Sequence, residues 1–159
     1  MAIEDCNCMN LRGAARRVSN FYDAVLSPSG LRATQYSILA VLDELGAVSI
    51  NDLADRLDLD RTTTGKNMRP LTVAKLITIG PSPTDGRSRV VRLTRHGAAA
   101  LETARPLWRQ AQQEFESANG QNVVRSLRRT LSRLRVRSEP AEKARERPRD
   151  RRRSRAAAR

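Results

Sequence analysis

The chain has 159 residues, 39% of them hydrophobic but only 3% aromatic, with 30 Lys and Arg against 17 Asp and Glu for a net charge of +13. That length fits one domain, or one domain with a tail, whose core is built mainly from Leu, Val, Ile and Ala. No apolar run approaches the roughly 18 residues of a membrane span, and the acidic start "MAIEDCNCMN" lacks the apolar stretch of a secretory signal, so a cytoplasmic protein is expected. The positive charge favours a polyanionic partner, nucleic acid ahead of an anionic membrane surface.

In chain order, Leu11, Ala14, Ala15, Val18, Phe21, Tyr22 and Val25 recur at spacings of three and four and predict one apolar helical face. "SPSG" at 27–30 ends that helix. A second begins near Thr34. Tyr36, Ile38, Leu39, Val41, Leu42 and Leu45 are apolar nearly all round, which predicts a buried helix stopped by Gly46. In "SINDLADRLDLD", Ser49 is placed to cap a short helix whose inner face is Ile50, Leu53, Ala54 and Leu57, and Asp60 caps the next. Two short helices joined by so tight a turn form a helix-turn-helix, whose second helix enters the DNA major groove.

Then the period changes. Leu76, Ile77 and Ile79 predict one short strand, and Val90, Val91 and Leu93 another. Pro81, Pro83, Asp85 and Gly86 supply the turn, giving a β-hairpin with Arg87 and Arg89 at its basic tip. Thr94 is placed to cap a long helix with Ala98, Leu101, Ala104, Trp108, Ala111 and Phe115 on one face. After Asn119 and Gly120, Val124, Leu127, Leu131 and Leu134 mark a last helix with a strongly basic outer face. The expected fold is therefore mainly α with a small β-hairpin wing: a winged helix-turn-helix flanked by terminal helices. A domain this small cannot cover the apolar faces of those helices, which predicts a homodimer with twofold symmetry. Residues 137–159 hold ten Lys or Arg, four Asp or Glu and almost no large apolar side chain, so a basic, disordered tail is expected, either plainly solvated or an electrostatic arm for DNA.

The order and spacing of "LRATQYSILAVL", "SINDLADRLDLDRTTTGKNMRPL" and "DGRSRVVRLTRHG" resemble the MarR family of bacterial winged-helix transcriptional regulators, over roughly residues 8–136. The resemblance implies a MarR-type domain over 1–136, with a DNA-binding lobe at 34–94 and dimerisation helices at 8–27 and 95–136. It also implies a homodimer that binds double-stranded operator DNA, usually as a repressor released by a small aromatic ligand or by oxidation. By the same resemblance "DRTTTGKNMRPL" is the recognition helix. Arg61, Thr62, Thr63, Lys66, Asn67 and Arg69 are then its exposed DNA contacts, with Arg87 and Arg89 reaching the minor groove from the wing. Asp85 is placed to pair with one of those wing arginines. Residues 11–45 would line much of an effector cleft, with Arg16, Arg17 and Tyr36 as its polar contacts.

The chain departs from the family pattern at Thr64, where a larger apolar residue is usual, and at the following Gly65. Both weaken a helix interior, Gly by about 1 kcal/mol relative to Ala. Gly65 either permits a close backbone approach to DNA or is simply tolerated. Pro70 lacks the N–H that would bond the Lys66 carbonyl and is expected to kink or end the helix nearby.

Cys6 and Cys8 lie too close together for a good mutual disulfide and are too few for a zinc site unless His96 or a second subunit contributes; no metal or cofactor is expected. In one branch of the family a cysteine near the start of the first helix senses organic hydroperoxides. Cys8 matches that cysteine and Tyr22 one of its two tyrosine partners, while the second tyrosine position is Ala33 here. A redox sensor and an incidental thiol both remain open. One histidine and no nucleophile elbow, phosphate-binding loop or metal cluster argue against an enzyme. A sequence-independent, DNA-coating protein of the nucleoid type is the alternative to a regulator.

Overall fold

The computed structural model describes residues 3–82 and 88–135. Contacts between backbone segments divide the chain into two compact units, Met1–Ala118 and Asn119–Arg159. Arg87, Asp85 and the tail at 137–159 lie outside the described residues.

In the first unit, a single 3-10 turn leads into helix α1 (Asn7–Leu26), and a second 3-10 turn over Ser27–Ser29 closes on Gly30 in a left-handed conformation. Helix α2 (Ala33–Leu45) follows, then strand β1 (Val48–Ser49), helix α3 (Ile50–Arg56) and helix α4 (Arg61–Val73). Strands β2 (Ile77–Pro81) and β3 (Arg89–Leu93) precede the long helix α5 (Arg95–Asn119). The sheet is antiparallel with order β1-β3-β2, Val48 opposite Val91 on one side and Ile79 opposite Val91 on the other. The expected hairpin is present. Strand β1 was not foreseen, because two residues carry no readable alternation.

Helix α2 is the centre of the core. Tyr36, Ile38, Leu39, Val41 and Leu42 are all buried, as its all-round apolar sequence predicts. Around it close Leu26, Leu53, Met68, Leu71, Ile77, Val91 and Leu101. The full burial of each such leucine contributes roughly 1.5–3 kcal/mol. Helix α5 lies hard against the sheet at Gly97, where an added Cβ would sit 2.0 Å from the main-chain oxygen of Leu76. Thr94 locks this junction: its hydroxyl donates to the main-chain oxygen of Lys75 at 2.8 Å and accepts from the Gly97 N–H at 2.9 Å.

Helix α1 divides into two parts. Tyr22 and Leu26 are buried, whereas Met9 and Leu11 near its start are 51% and 45% exposed. In the second unit, helix α6 (Gln121–Arg133) starts at Gly120, whose φ is +81°. Its residues Val123, Leu127 and Leu131, and Leu134 just beyond, are exposed apolar side chains.

Candidate nucleic-acid interface

The interface is built from α3, the turn after it, α4 and the base of the wing. Ser49 begins α3 by accepting from the Asp52 N–H at 3.1 Å, and its hydroxyl donates to the Asp52 carboxylate at 2.7 Å. The helix ends with Asp58 in a left-handed conformation, and the Leu59 N–H reaches back to the Ala54 carbonyl at 2.9 Å, a Schellman closure that makes the turn tight. Asp60 then caps α4. One carboxylate oxygen accepts from the Thr63 N–H at 2.8 Å and the other from the Thr63 hydroxyl at 2.6 Å. These bonds, the hydroxyl's first, hold the Asp60 carboxyl below its ordinary pKa.

The α4 face that meets the core is Thr64, Met68 and Leu71, all buried. Thr64 is completely buried and donates its hydroxyl to the Asp60 carbonyl at 2.9 Å, so the polar atom left by the departure from an apolar residue is satisfied inside the helix. Pro70 does not end α4. The helix runs on to Val73 because Pro70 faces solvent, and it closes when Lys75 turns left-handed and the Leu76 N–H bonds the Leu71 carbonyl.

The outward face carries Arg61, Thr62, Lys66 and Arg69, all exposed. Thr63 and Asn67 are half-buried rather than exposed, and the Thr63 hydroxyl proton is committed to Asp60. Arg61 Nη1 donates to Asn51 Oδ1 of α3 at 3.2 Å. Together with Ser49, Ile50, Ser88 and Arg89 these two residues line a groove of about 350 Å³ between the helix-turn-helix and the wing. Arg89 is exposed there and also donates to the Ile79 carbonyl at 3.4 Å. Sequence reading missed Asn51, Ser49 and Ser88 as members of this site, since only the fold brings the start of α3 beside Arg61.

A second concavity of about 270 Å³ lies between α1, α2 and α5, lined by Val18, Ser19, Tyr22, Ala33, Trp108 and Gln112. It falls within the helices expected to hold an effector, but none of the three expected polar contacts lines it. Arg16 and Arg17 are exposed on α1, and Tyr36 is buried behind Trp108, stacked on it at 4.3 Å and 12° between planes. Burial raises the Tyr36 pKa, opposed by Arg105 and Arg109. Arg105 in turn pairs with Asp43 and Glu102, each at 2.6 Å. Cys6 and Cys8 are both free thiols, half-buried and exposed respectively. Cys8 and Tyr22 are not brought together within one chain: fourteen residues of one helix separate them by about 21 Å. Among the described residues no helix is long and apolar enough to cross a membrane.

A three-stranded wing on a capped helix-turn-helix, with long helices before and after, defines a winged-helix protein. Residues 29–88 match the model of the MarR family. No curated protein matches the chain in sequence. Among solved structures, the chain is similar to the M. tuberculosis transcriptional regulator MosR in complex with DNA, with 34% identity and a TM-score of 0.69 over 82% of this chain and 100% of that one. A probable transcriptional regulator from Pseudomonas aeruginosa is 27% identical with a TM-score of 0.75, over 84% of this chain and 100% of that one. Bordetella bronchiseptica BpsR, whose DNA binding is regulated by 6-hydroxynicotinic acid, is 26% identical with a TM-score of 0.71, over 85% of this chain and 99% of that one. The chain belongs to the MarR family of transcriptional regulators.

Proposed function

We propose that the protein is a homodimeric, cytoplasmic repressor that binds a specific double-stranded operator through α4 and the wing. The observation that carries this reading is the division of α4 into two faces. Thr64, Met68 and Leu71 fix its inner face in the core, while Arg61, Thr62, Lys66 and Arg69 stand outward beside the Arg89 groove. Arg and Lys suit guanine edges, Asn67 at the margin of that face suits adenine, and Thr62 suits a phosphate, while Thr63, its hydroxyl proton held by Asp60, offers only its methyl to thymine. Arg89, and Arg87 beyond the described residues, would enter the adjacent minor groove, where the negative potential favours arginine.

Residues 34–94 form the DNA-binding lobe in this reading, and 8–27 with 95–136 the dimerisation helices. The exposed Met9 and Leu11 of α1, and the exposed Val123, Leu127 and Leu131 of α6, support dimerisation, because unpartnered apolar side chains of this size favour an isologous interface. The cleft beside Trp108 is the effector site. It is mostly apolar, with Ser19 and Gln112 as orienting polar groups, which fits a small aromatic ligand. The regulation of BpsR by an aromatic acid supports the same class of effector here. Ligand in this cleft touches α2 at Ala33, and α2 packs on α4, so occupancy shifts the separation of the two reading helices in the dimer. In the oxidant-released alternative, exposed Cys8 would require Tyr22 from the second copy.

Competition titration tests the repressor reading. The protein should prefer DNA from upstream of its own gene over random duplex by about 10³-fold or more. Equal affinity for both, with a steep salt dependence, would assign the protein to the DNA-coating class instead.

A further inference from the structure

We propose that Gly65 is the point at which the α4 main chain makes its closest approach to the major groove, a contact that any side chain at this position displaces. The inference rests on the DNA-reading role of α4 and adds a residue that carries no functional group.

Nothing inside the protein calls for glycine at this position. Gly65 is helical, so the left-handed freedom used at Gly30, Gly46 and Gly120 is not needed. Beyond its two neighbours and the backbone of its own helix, a Cβ on Gly65 would meet nothing within 4 Å, in contrast to Gly97, whose Cβ would strike the sheet. Gly65 is also exposed. In mid-helix the residue costs about 1 kcal/mol relative to alanine. The fold bears that cost without any return from its own packing.

The surroundings indicate where the return lies. Arg61 and Arg69 stand one turn before and one turn after Gly65 on the same face, with Thr62 beside them. The result is a bare strip of main chain between two guanidinium groups. A helix with its side chains is about 10–12 Å across and the major groove about 12 Å wide, so the fit is close enough for one missing side chain to set the depth of entry. With Gly65 at the floor of the groove, the two arginines reach bases and phosphates on either side.

Full-length Gly65→Ala and Gly65→Leu test the inference, using the duplex that the wild-type chain itself selects from random DNA. Both variants should fold at least as stably as wild type, alanine by about five-fold in the folding constant. Both should lose operator affinity, alanine by ten-fold or more and leucine by more again, because the loss follows side-chain size. Variants that bind as tightly as wild type overturn the inference while leaving the DNA-reading role of α4 intact. A less stable alanine variant also overturns it, by showing that the glycine serves the fold. Wild-type protein that selects no sequence at all contradicts the DNA-reading role itself, and the inference falls with it.

Discussion

Arg61 of α4 is tied to Asn51 of α3: its Nη1 donates to Asn51 Oδ1 at 3.2 Å across the helix-turn-helix. The bond links the two helices at the mouth of the groove that Arg89 closes from the wing. An exposed arginine has many rotamers, and one fixed contact removes much of the entropy it would otherwise lose on binding.

Asn51→Ala should therefore weaken operator binding by about two- to five-fold, the scale of roughly 0.5–1 kcal/mol for one exposed hydrogen bond. The thermal midpoint should fall by no more than a few degrees, the shift that a loss of this size produces in a domain of this length. The slope of log K against log salt should stay unchanged, because no phosphate charge is removed, whereas Arg61→Ala should lower that slope by about one if Arg61 meets a phosphate. A loss of salt slope in Asn51→Ala would show that Asn51 itself arranges more than one cation.

Trp108 is the sole tryptophan of the chain and lines the α1–α2–α5 cleft while stacking on Tyr36. Its fluorescence should change as hydroxylated aromatic acids, 6-hydroxynicotinic acid among those tried, fill the cleft. The same compound should weaken operator binding, and operator should weaken the compound's binding by the same factor. Gln112→Leu should reduce the ligand's affinity with little effect on DNA in its absence. Release of DNA with unchanged emission would place the effector elsewhere.

Gly97→Ala should destabilise the fold by about 1–3 kcal/mol, the usual cost of overpacking a close contact. The added Cβ would overlap the Leu76 main-chain oxygen, which Thr94 holds in place. Urea unfolding of this variant beside Gly65→Ala gives shifts of opposite sign. A neutral Gly97→Ala would mean that α5 slides readily on the sheet.

Most of the scaffold was legible because its signals are local. The caps at Ser49, Asp60 and Thr94 each need only a side chain and an N–H two or three residues on, and each is present. The apolar run of α2 made it the core helix for the same reason. Strand β1 was not legible, since Val48 and Ser49 become a strand only by pairing with Val91 and Val90. Pro70 was read as a kink or an end to the helix, but the one hydrogen bond it forfeits lies on the solvent side, and the helix continues to Val73 before Lys75 turns left-handed. The cleft beside Trp108 shows the limit most clearly. Charge drew attention to Arg16 and Arg17, whereas Val18, Ser19 and Tyr22 line the cleft, and its opposing wall of Trp108 and Gln112 comes from residues some ninety positions away.

Selection of bound duplexes from random-sequence DNA tests the central claim most directly, that α4 reads sequence in a twofold-symmetric dimer. The account predicts recovery of a pseudo-palindrome whose half-sites are separated by about one helical turn, ~10 bp, with Asn67→Ala changing the preference at one position in each half. Recovery of duplexes with no common motif, or of a single unpaired half-site bound by one chain, would contradict it.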